Sequence, residues 1–394
     1  MALQRNRFSH ITDEEFRFLI QQVDGYQRTK DKLPTFAKIE DWWYPVRLSC
    51  EQCSSELTAR YKASLLPKEA FTLTDLTGGY GVDTYFMSQN ATEAHYVERY
   101  QELCKIVAHN FEQTRPHVHI HNTEALTYLQ EMQPNDVIYI DPARRNQYGG
   151  KVFRIEDCEP NLIEILDTLR SKSNSIIIKL SPMLDISQAL ISLKGNWDVH
   201  VLAVKNEVKE ILLISYHSRT TSKEYHREKE GMIYATNLIP TPSQDDFSAN
   251  TFAFTKDEER DAHCQLYDDT NKYLITPGIY IYEPNAAIIK AGAFKIVAQQ
   301  YQLCKMSANT HLYLSDKFIK DFPGRVWQIV TTNIKQQKDI RANIMTRNYP
   351  LTPEQLRKKL KIKDSDTHTI IGARLGDKPT LFLAERIDQH TTSR

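Results

Sequence analysis

The stretch Asp75-Leu76-Thr77-Gly78-Gly79-Tyr80-Gly81-Val82-Asp83 decides the fold of this chain. It ends an apolar run that starts at Phe71 and is typical of a buried strand, and it leads into a helical pattern. Glycine adopts positive φ readily and has no Cβ to block a ligand, and the start of the next helix offers free N–H groups. The loop therefore predicts a place where a cofactor approaches the backbone. A tight strand-to-helix turn without a ligand is the simpler alternative.

From about residue 70 to 217, apolar runs alternate with helical patterns. This alternation favours a mostly parallel sheet covered on both faces. The last two runs are too close for a helical crossover, so Lys205 to Lys209 predicts a hairpin and an antiparallel edge strand. The result is an α/β fold with seven strands. They are expected at Phe71 to Leu76, His95 to Val97, Val118 to Ile120, Val137 to Ile140, Ile176 to Leu180, Val199 to Val204 and Ile211 to Tyr216.

The flanking regions have other patterns. Thr12 and Glu15 form a capping pattern at the start of a helical N-terminal region. Residues 218 to about 275 are polar and predict in part a linker or long hairpin. Ala286 to Gln300 predicts a helix, and a small C-terminal α+β module contains a helix from Pro353 to Leu360. The predicted domains are 1–69 (helical), 70–260 (the main sheet), 277–323 (small α/β) and 324–394 (basic).

The charge distribution and the cysteine content indicate the type of partner and the cellular compartment. Over residues 325–394, 14 Lys and Arg face 7 Asp and Glu, a net charge of +7 in a chain whose total is zero. A basic module on an otherwise acidic protein indicates a polyanionic partner, although an unevenly charged surface is the alternative. The six scattered cysteines fit a reducing compartment. We expect a cytoplasmic protein without a membrane span, because no apolar run is long enough and the N-terminus lacks a secretory signal.

An acidic residue follows the second strand. Glu98 lies 23 residues after Asp75, where a carboxylate can accept both ribose hydroxyls of a nucleoside. NAD shares this requirement, but the third glycine position of its G-x-G-x-x-G pattern is Thr84 here, so that pattern fails. An exposed carboxylate at a strand end is the alternative.

The most specific element is Asp141-Pro142-Ala143-Arg144-Arg145, which follows the fourth strand. A carboxylate on a loop stiffened by proline can hold the N–H groups of an exocyclic amine in position for attack. Arg144 or Arg145 could grip phosphate or stack on a base. A capped loop with an internal Asp–Arg pair is the alternative.

In this order, the two motifs resemble class I S-adenosylmethionine (SAM)-dependent methyltransferases that act on nucleic-acid bases, which have a seven-stranded Rossmann-like sheet. Among these enzymes, the chain is similar to an uncharacterised group that carries the stretch from Glu51 to Glu56 and a C-terminal THUMP-like domain, here at 324–394. Residues 277–323 resemble a ferredoxin-like insert. Gly79 and Gly81 match the second and third family glycines, while Thr77 replaces the first. THUMP domains bind tRNA, so the implied partner is tRNA or rRNA.

The resemblance assigns a role to individual residues. The implied SAM-binding residues are Asp75, Thr77, Gly78, Gly79, Gly81, Asp83, Glu98, Arg99 and Glu124. The implied catalytic loop is Asp141, Pro142 and Arg144. The implied RNA contacts are Arg145, Lys179, Ser181, Arg341, Arg347, Arg357, Lys358 and Lys359. Glu124 would meet the adenine amino group, but Asn122 or Thr123 could instead cap the next helix with Glu124 merely favouring its positive end.

The departures from the family pattern select the chemistry. Arg144 stands where N6-adenine enzymes have an aromatic residue, which disfavours that atom. Uridine C5 enzymes need a cysteine nucleophile, and the loop after the fifth strand, Lys179-Leu180-Ser181-Pro182, has none. The prediction is methylation of an exocyclic amine without a metal. Methylation of a protein or small molecule, and RNA binding by an inactive fold, remain alternatives.

Two further patterns have a structural and a functional interpretation. Trp42-Trp43-Tyr44 could stack on RNA bases or pack in the helical core. His117, His119 and His121 share one face of a strand, but no carboxylate or thiol partner is evident, which disfavours a metal.

Overall fold

The structure is a computed structural model that describes residues 11–144, 154–216, 231–241, 247–334, 340–365 and 367–388. The chain divides into two compact units. The first comprises Met1–Gly231 and Leu238–Ala249, and the second comprises Met232–Asn237 and Asn250–Arg394. Among the residues in these ranges, no helix is both long and apolar enough to cross a bilayer.

Helices lie before and between the strands of the first unit. Helix α1 begins with the predicted capping box: the Thr12 hydroxyl accepts from the Glu15 N–H at 3.2 Å, and the Glu15 carboxylate accepts from the Thr12 N–H at 2.7 Å. The helices are α1 Asp13–Thr29, α2 Pro34–Ala37, α3 Arg47–Gln52, α4 Glu56–Ser64, α5 Val82–Met87, α6 Gln101–Thr114, α7 Ala125–Glu131, α8 Leu162–Lys172 and α9 Ile186–Leu193.

The main sheet has nine strands in the order β11-β10-β8-β9-β7-β4-β1-β2-β3. Its strands are β1 Phe71–Asp75, β2 Ala91–Glu98, β3 Val118–Asn122, β4 Asn135–Ile140, β7 Ser173–Leu180, β8 Asp198–Val204, β9 Glu207–Tyr216, β10 Met232–Pro240 and β11 Phe247–Thr255. A separate pair of two-residue strands is formed by β5 Ala143–Arg144 and β6 Cys158–Glu159. All seven predicted strands are present, and the predicted α/β class is confirmed.

The predicted count of seven strands was too low, and the predicted edge position was wrong. Lys205 and Asn206, with φ of 51° and 66°, form the expected turn between β8 and β9. However, β9 lies inside the sheet, antiparallel to both β7 and β8. Strands β10 and β11 lie beyond β8 and are neighbours in the sheet, in the segment predicted in part as a linker or long hairpin. The pattern of β11 is difficult to recognise in the sequence, because only Phe252 and Phe254 of this strand are buried.

The core of the first unit joins the N-terminal helices to the sheet. Phe36 is fully buried and its ring lies 4.1 Å from that of Trp42 and 4.9 Å from that of Tyr85. Trp42 Nε1 donates to the Tyr80 hydroxyl at 2.8 Å. Trp42 and Tyr44 are therefore core residues, and Trp43 stacks on His109 at 3.8 Å between ring centroids.

The second unit contains one continuous seven-stranded sheet. Its order is β13-β14-β12-β15-β18-β17-β16, and only β16 and β17 form a parallel pair among the pairs described. The strands are β12 Tyr280–Pro284, β13 Cys304–Ser307, β14 Thr310–Ser315, β15 Gly324–Thr331, β16 Asn343–Arg347, β17 His368–Leu375 and β18 Lys378–Ile387. The helices are α10 Lys256–Asp261, α11 Ala286–Ala291, α12 Lys295–Gln300 and α13 Pro353–Leu360.

Two predicted helices of this unit have different outcomes. The single helix predicted from Ala286 to Gln300 was wrong, because Gly292 adopts φ +83° and ends α11, so that α12 begins at Lys295. Helix α13 is confirmed with its predicted cap, since the Thr352 hydroxyl accepts from the Gln355 N–H at 3.3 Å.

Candidate cofactor and acceptor site

Four loops meet at one edge of the main sheet. Strand β1 pairs in parallel with both β2 and β4, with Asp75 opposite Tyr96 and Tyr139, and β4 pairs in parallel with β7. The carboxyl ends of these strands therefore lie side by side. The chain reverses its direction of winding between β1 and β4, which is the position where open α/β sheets bind ligands.

The glycine loop is held by backbone contacts and keeps one open face. Gly79 and Gly81 adopt φ of 54° and 77°, as the sequence predicted for a loop of this kind. A Cβ on Gly78 would lie 2.1 Å from the Tyr96 ring, whereas a Cβ on Gly79 would meet only the Thr77 carbonyl oxygen within 4 Å, at 3.9 Å. Gly78 thus allows packing, and Gly79 leaves room for a ligand.

Asp75, at the end of β1, stabilises this loop through hydrogen bonds. Its side chain is buried, and its two oxygens accept from the Thr77 N–H at 3.0 Å and from the Thr84 hydroxyl at 2.6 Å. Burial raises the pKa of Asp75 to about 7, although these two hydrogen bonds oppose the shift. The carboxylate thus contacts the protein's own loop.

Glu98 lies at the end of β2 and faces the glycine loop. One oxygen accepts from the Gly79 N–H at 3.0 Å and the other from the Tyr100 N–H at 2.8 Å. Each carboxylate oxygen has two lone pairs, so each can still accept from a hydroxyl group. The position suits a ribose.

The remaining predicted cofactor residues flank this position. Arg99 Nη1 lies 3.4 Å from Glu159 Oε1, and its guanidinium lies 4.9 Å from the ring centroid of Tyr100. Glu124 is itself the N-cap residue of α7, without a capping hydrogen bond from its side chain. The alternative that Asn122 or Thr123 caps this helix was therefore wrong; Asn122 donates instead to the Glu98 and Arg99 carbonyls, both at 3.0 Å.

The acidic loop after β4 is tied to the glycine loop. The Asp141 N–H donates to the Thr77 hydroxyl at 2.6 Å, so the residue that replaces the first family glycine links the two motifs. Pro142 is buried, and β5 pairs with β6 directly after it. The side chain of Arg144 and the whole of Arg145 lie outside the described residues.

Lys179, at the end of β7, holds the Asp141 side chain. Its ammonium lies 2.5 Å from Asp141 Oδ2 and 3.1 Å from Ser54 Oγ. Burial opposes its charge, but the carboxylates of Asp141 and Asp83 together raise the pKa of Lys179. Ser181 lies just beyond, in the turn after β7, where its hydroxyl accepts from the Met183 N–H at 3.3 Å.

Asp83 is the centre of a buried charge network. Lys62 Nζ lies 3.2 Å from Asp83 Oδ1, and Lys179 Nζ lies 3.6 Å from Asp83 Oδ2. Burial opposes ionisation, but the two ammonium groups lower the pKa of Asp83 to about 2. Tyr139 donates to Asp83 Oδ2 at 2.7 Å, as does Ser54.

Glu210 is the far end of this network. It lies on β9, is 3% exposed and forms an ion pair with the fully buried Lys62. Five charges thus follow one another from the sheet interior to the acidic loop: Glu210, Lys62, Asp83, Lys179 and Asp141. Ser54, Lys62 and Glu210 were not predicted as site residues. In the sequence, a glutamate in the apolar run of β9 could have pointed to Glu210 as a member of a buried ion pair.

Within the described ranges, the histidines on and next to β2 and β3 do not form a metal centre. His95 and His121 lie 3.1 Å apart through ring nitrogens, and burial lowers the pKa of both. Among the residues that the structure describes, no group of three His, Cys, Asp or Glu side chains is arranged to hold a metal.

The predicted RNA-contacting residues of the second unit are only partly engaged in ion pairs. Arg347 Nε donates to the buried Glu283 at 2.7 Å, and Arg357 lies 2.7 Å from Asp364. Arg341, Lys358 and Lys359 are exposed.

Comparison with known proteins identifies this arrangement. A family model described as a ferredoxin-like domain matches residues 280–323, and one described as THUMP domain-like matches residues 325–386. A crystal structure of a "putative methyltransferase" from Porphyromonas gingivalis W83 is 32% identical with a TM-score of 0.83, covering 96% of this chain and 92% of that one.

More distant relatives come from Mycobacterium tuberculosis. Two uncharacterized SAM-dependent methyltransferases, from strains CDC 1551 and H37Rv, are 19% identical over 259 residues. The match spans 63% of this chain and 63% of the length of each relative.

The fold, the edge site and the domain matches define a class I SAM-dependent methyltransferase with a C-terminal THUMP-like domain. The chain belongs to the same family as the Porphyromonas gingivalis protein.

Proposed function

We propose that this protein binds SAM at the glycine loop and transfers its methyl group to a base of structured RNA, tRNA or rRNA. The observation that carries the proposal is the edge of the sheet, where an open glycine face, the Glu98 carboxylate and the Asp141 carboxylate occupy neighbouring strand ends. SAM supplies an electrophilic methyl group on a positively charged sulfur when bound.

The residues present suit this cofactor. Gly79 leaves open space, Glu98 can accept from ribose hydroxyls, and Glu124 lies at the start of α7, just after the end of β3. The network of five charged side chains has three carboxylates and two ammonium groups, so its net charge is −1. A negative site edge complements a sulfonium cation.

The acceptor group is proposed to be an exocyclic amine. Lys179 already directs its ammonium to Asp141, Ser54 and Asp83, so it offers little to a substrate. The exposed part of Asp141 therefore presents a hydrogen-bond acceptor, which an amine N–H can satisfy. In this proposal Asp141 orients the amine nitrogen at the sheet edge and is placed to take the proton that the nitrogen releases.

RNA is the proposed substrate because of the second unit. Residues 325–394 have a net charge of +7, and a THUMP-like domain matches this region. Exposed Lys358 and Lys359 suit phosphate contacts that position RNA without reading its sequence. Methylation of a protein or small molecule would not need this domain. A cytoplasmic location stays a prediction of the sequence.

The proposal is tested by mass spectrometry of nucleosides from cells with and without the gene. We expect one methylated nucleoside to disappear from tRNA or rRNA without the gene, and to return with the wild-type chain but not with Asp141→Ala. Unchanged nucleoside profiles in both RNA classes would contradict RNA as the substrate.

A further inference from the structure

The N-terminal helices contribute to the acceptor site through buried charges. Ser54 precedes α4 and Lys62 lies within it, yet both reach the strand ends: Ser54 Oγ donates to Asp83 Oδ2 at 2.7 Å and accepts from Lys179 Nζ at 3.1 Å. Lys62 is fully buried between Asp83 and Glu210. The stretch from Glu51 to Glu56 thus enters the site at Ser54.

We infer that Ser54 and Lys62 are positioning residues that hold Lys179 on Asp141, and so fix the acceptor carboxylate. Lys179 lies between two carboxylates, 2.5 Å from Asp141 but 3.6 Å from Asp83. Asp83 has other partners that make this asymmetry possible. Lys62 supplies a positive charge 3.2 Å from Oδ1, and Ser54 and Tyr139 donate to Oδ2.

Asp83 and Asp141 compete for the ammonium group of Lys179. Asp83 is buried, and an ionised carboxylate that is buried needs a cation nearby. With Lys62 in place, Asp83 has its own cation, and Lys179 can approach Asp141. Without Lys62, Lys179 is the one cation left near Asp83 among the described residues, and the ammonium is drawn from Asp141 towards Asp83. Asp141 then loses its fixed orientation.

This inference rests on the proposed methyl transfer, but its structural part can be tested alone. The variant Lys62→Met/Glu210→Gln removes both members of the innermost ion pair, which avoids leaving one buried charge unpaired. A crystal structure of the variant should have Lys179 Nζ nearer to Asp83 than to Asp141. The matched control is Lys32→Met, because Lys32 lies in the same region but donates to the Cys50 and Glu51 carbonyls at 3.1 and 3.0 Å.

The kinetic test separates positioning from folding. With RNA from cells lacking the gene as methyl acceptor, kcat of the double variant should fall about tenfold, while KM for RNA and calorimetric SAM affinity change less than about twofold. Lys32→Met should match the wild type. A folded double variant that keeps both the Lys179–Asp141 contact and its kcat would overturn the inference.

Two other outcomes are also decisive. If the double variant does not fold, Ser54→Ala replaces it, and an unchanged kcat together with an unchanged Lys179–Asp141 distance would overturn the inference. If the wild type binds SAM but methylates no RNA, the proposed substrate fails, and the Lys179 position in the variant structures alone decides the inference.

Discussion

The two units handle charge in opposite ways. At the edge of the main sheet, Lys62, Asp83 and Glu210 are buried, Lys179 is half-buried, and the four side chains pair with one another. Around α13 of the second unit, Lys358, Lys359, Lys361 and Lys363 are exposed. Buried pairs fix a geometry and are little affected by salt, whereas exposed charges act over a distance and are screened.

Under the proposed function, the two regions have different tasks. A methyl transfer requires atoms held within a fraction of an ångström, which rigid, desolvated contacts provide. Holding a large polyanion requires many weak contacts that tolerate different sequences. The first region should therefore respond to single substitutions and pH, and the second to salt.

The largest effect is expected at the open face of the glycine loop. Gly79→Arg should lower SAM affinity by at least about 100-fold, or roughly 3 kcal/mol, in calorimetry, because the side chain fills the space beside the loop. Gly278→Arg is the control, since Gly278 also has positive φ (91°) and open surroundings but lies in the second unit. Equal SAM affinity in both variants would place the cofactor elsewhere.

The second largest effect is expected at the Asp141 carboxylate. Asp141→Asn should lower kcat about 100-fold by releasing the Lys179 contact and weakening the hold on the amine, with SAM affinity within a few-fold of wild type. Steady-state kinetics with radiolabelled SAM measures both. Asp157→Asn, at an exposed position between β5 and β6, is the control. Full activity of Asp141→Asn would remove Asp141 from the mechanism.

The buried region should also respond to pH. The pKa of Asp75 is raised to about 7 in the folded protein, above its unfolded value near 4. Between about pH 4 and 7, the folded state therefore holds a proton on Asp75 that the unfolded state has released. The free energy of unfolding falls as pH rises through this range, because the folded state must give up that proton. Asp75→Asn removes the effect.

The measurement is urea unfolding at pH 5 and pH 7. The free energy of unfolding of Asp75→Asn relative to wild type should rise by up to about 2 kcal/mol between these pH values. Thr72→Val, which leaves the Asp75 carboxyl untouched, should give no such pH-dependent difference. A difference that does not change between pH 5 and pH 7 would mean that Asp75 is ionised at its ordinary pKa in the folded protein.

The smallest effect is expected at the exposed lysines. Lys358→Gln/Lys359→Gln should weaken RNA binding about tenfold and reduce the slope of log affinity against log salt by about 1.5, near 0.7 to 0.9 per phosphate contact. Filter binding at several salt concentrations measures both. Lys105→Gln, at an exposed position of the first unit, should leave the slope unchanged. An unchanged slope in the double variant would exclude α13 from the interface.

The sequence predicted the parts of the site that follow from strand order. Glycines after β1 and acids after β2 and β4 must share one edge once the strands are parallel, so Asp75, Glu98 and Asp141 could be placed together. THUMP-like and methyltransferase regions could also be recognised from short motifs.

The rest depends on contacts between distant parts of the chain. The pairing of Lys62 with Glu210, 148 positions away, arises only when α4 packs on the sheet. Lys179 and Asp141 end neighbouring strands, but whether Lys179 pairs with Asp141 or Asp83 depends on the side chains that meet there. Strands β10 and β11 were missed because polar segments, 217–231 and 241–246, lie before and after β10 and give this region a polar composition. The break at Gly292 follows from one backbone angle within an otherwise helical pattern.

A crystal structure of the wild-type chain with S-adenosylhomocysteine is the sharpest test of cofactor binding at this edge of the sheet. The ribose hydroxyls should lie on Glu98, the amino-acid part beside Gly79, and the sulfur on the side of the Asp141 loop. A nucleoside bound anywhere but this edge of the sheet would contradict it.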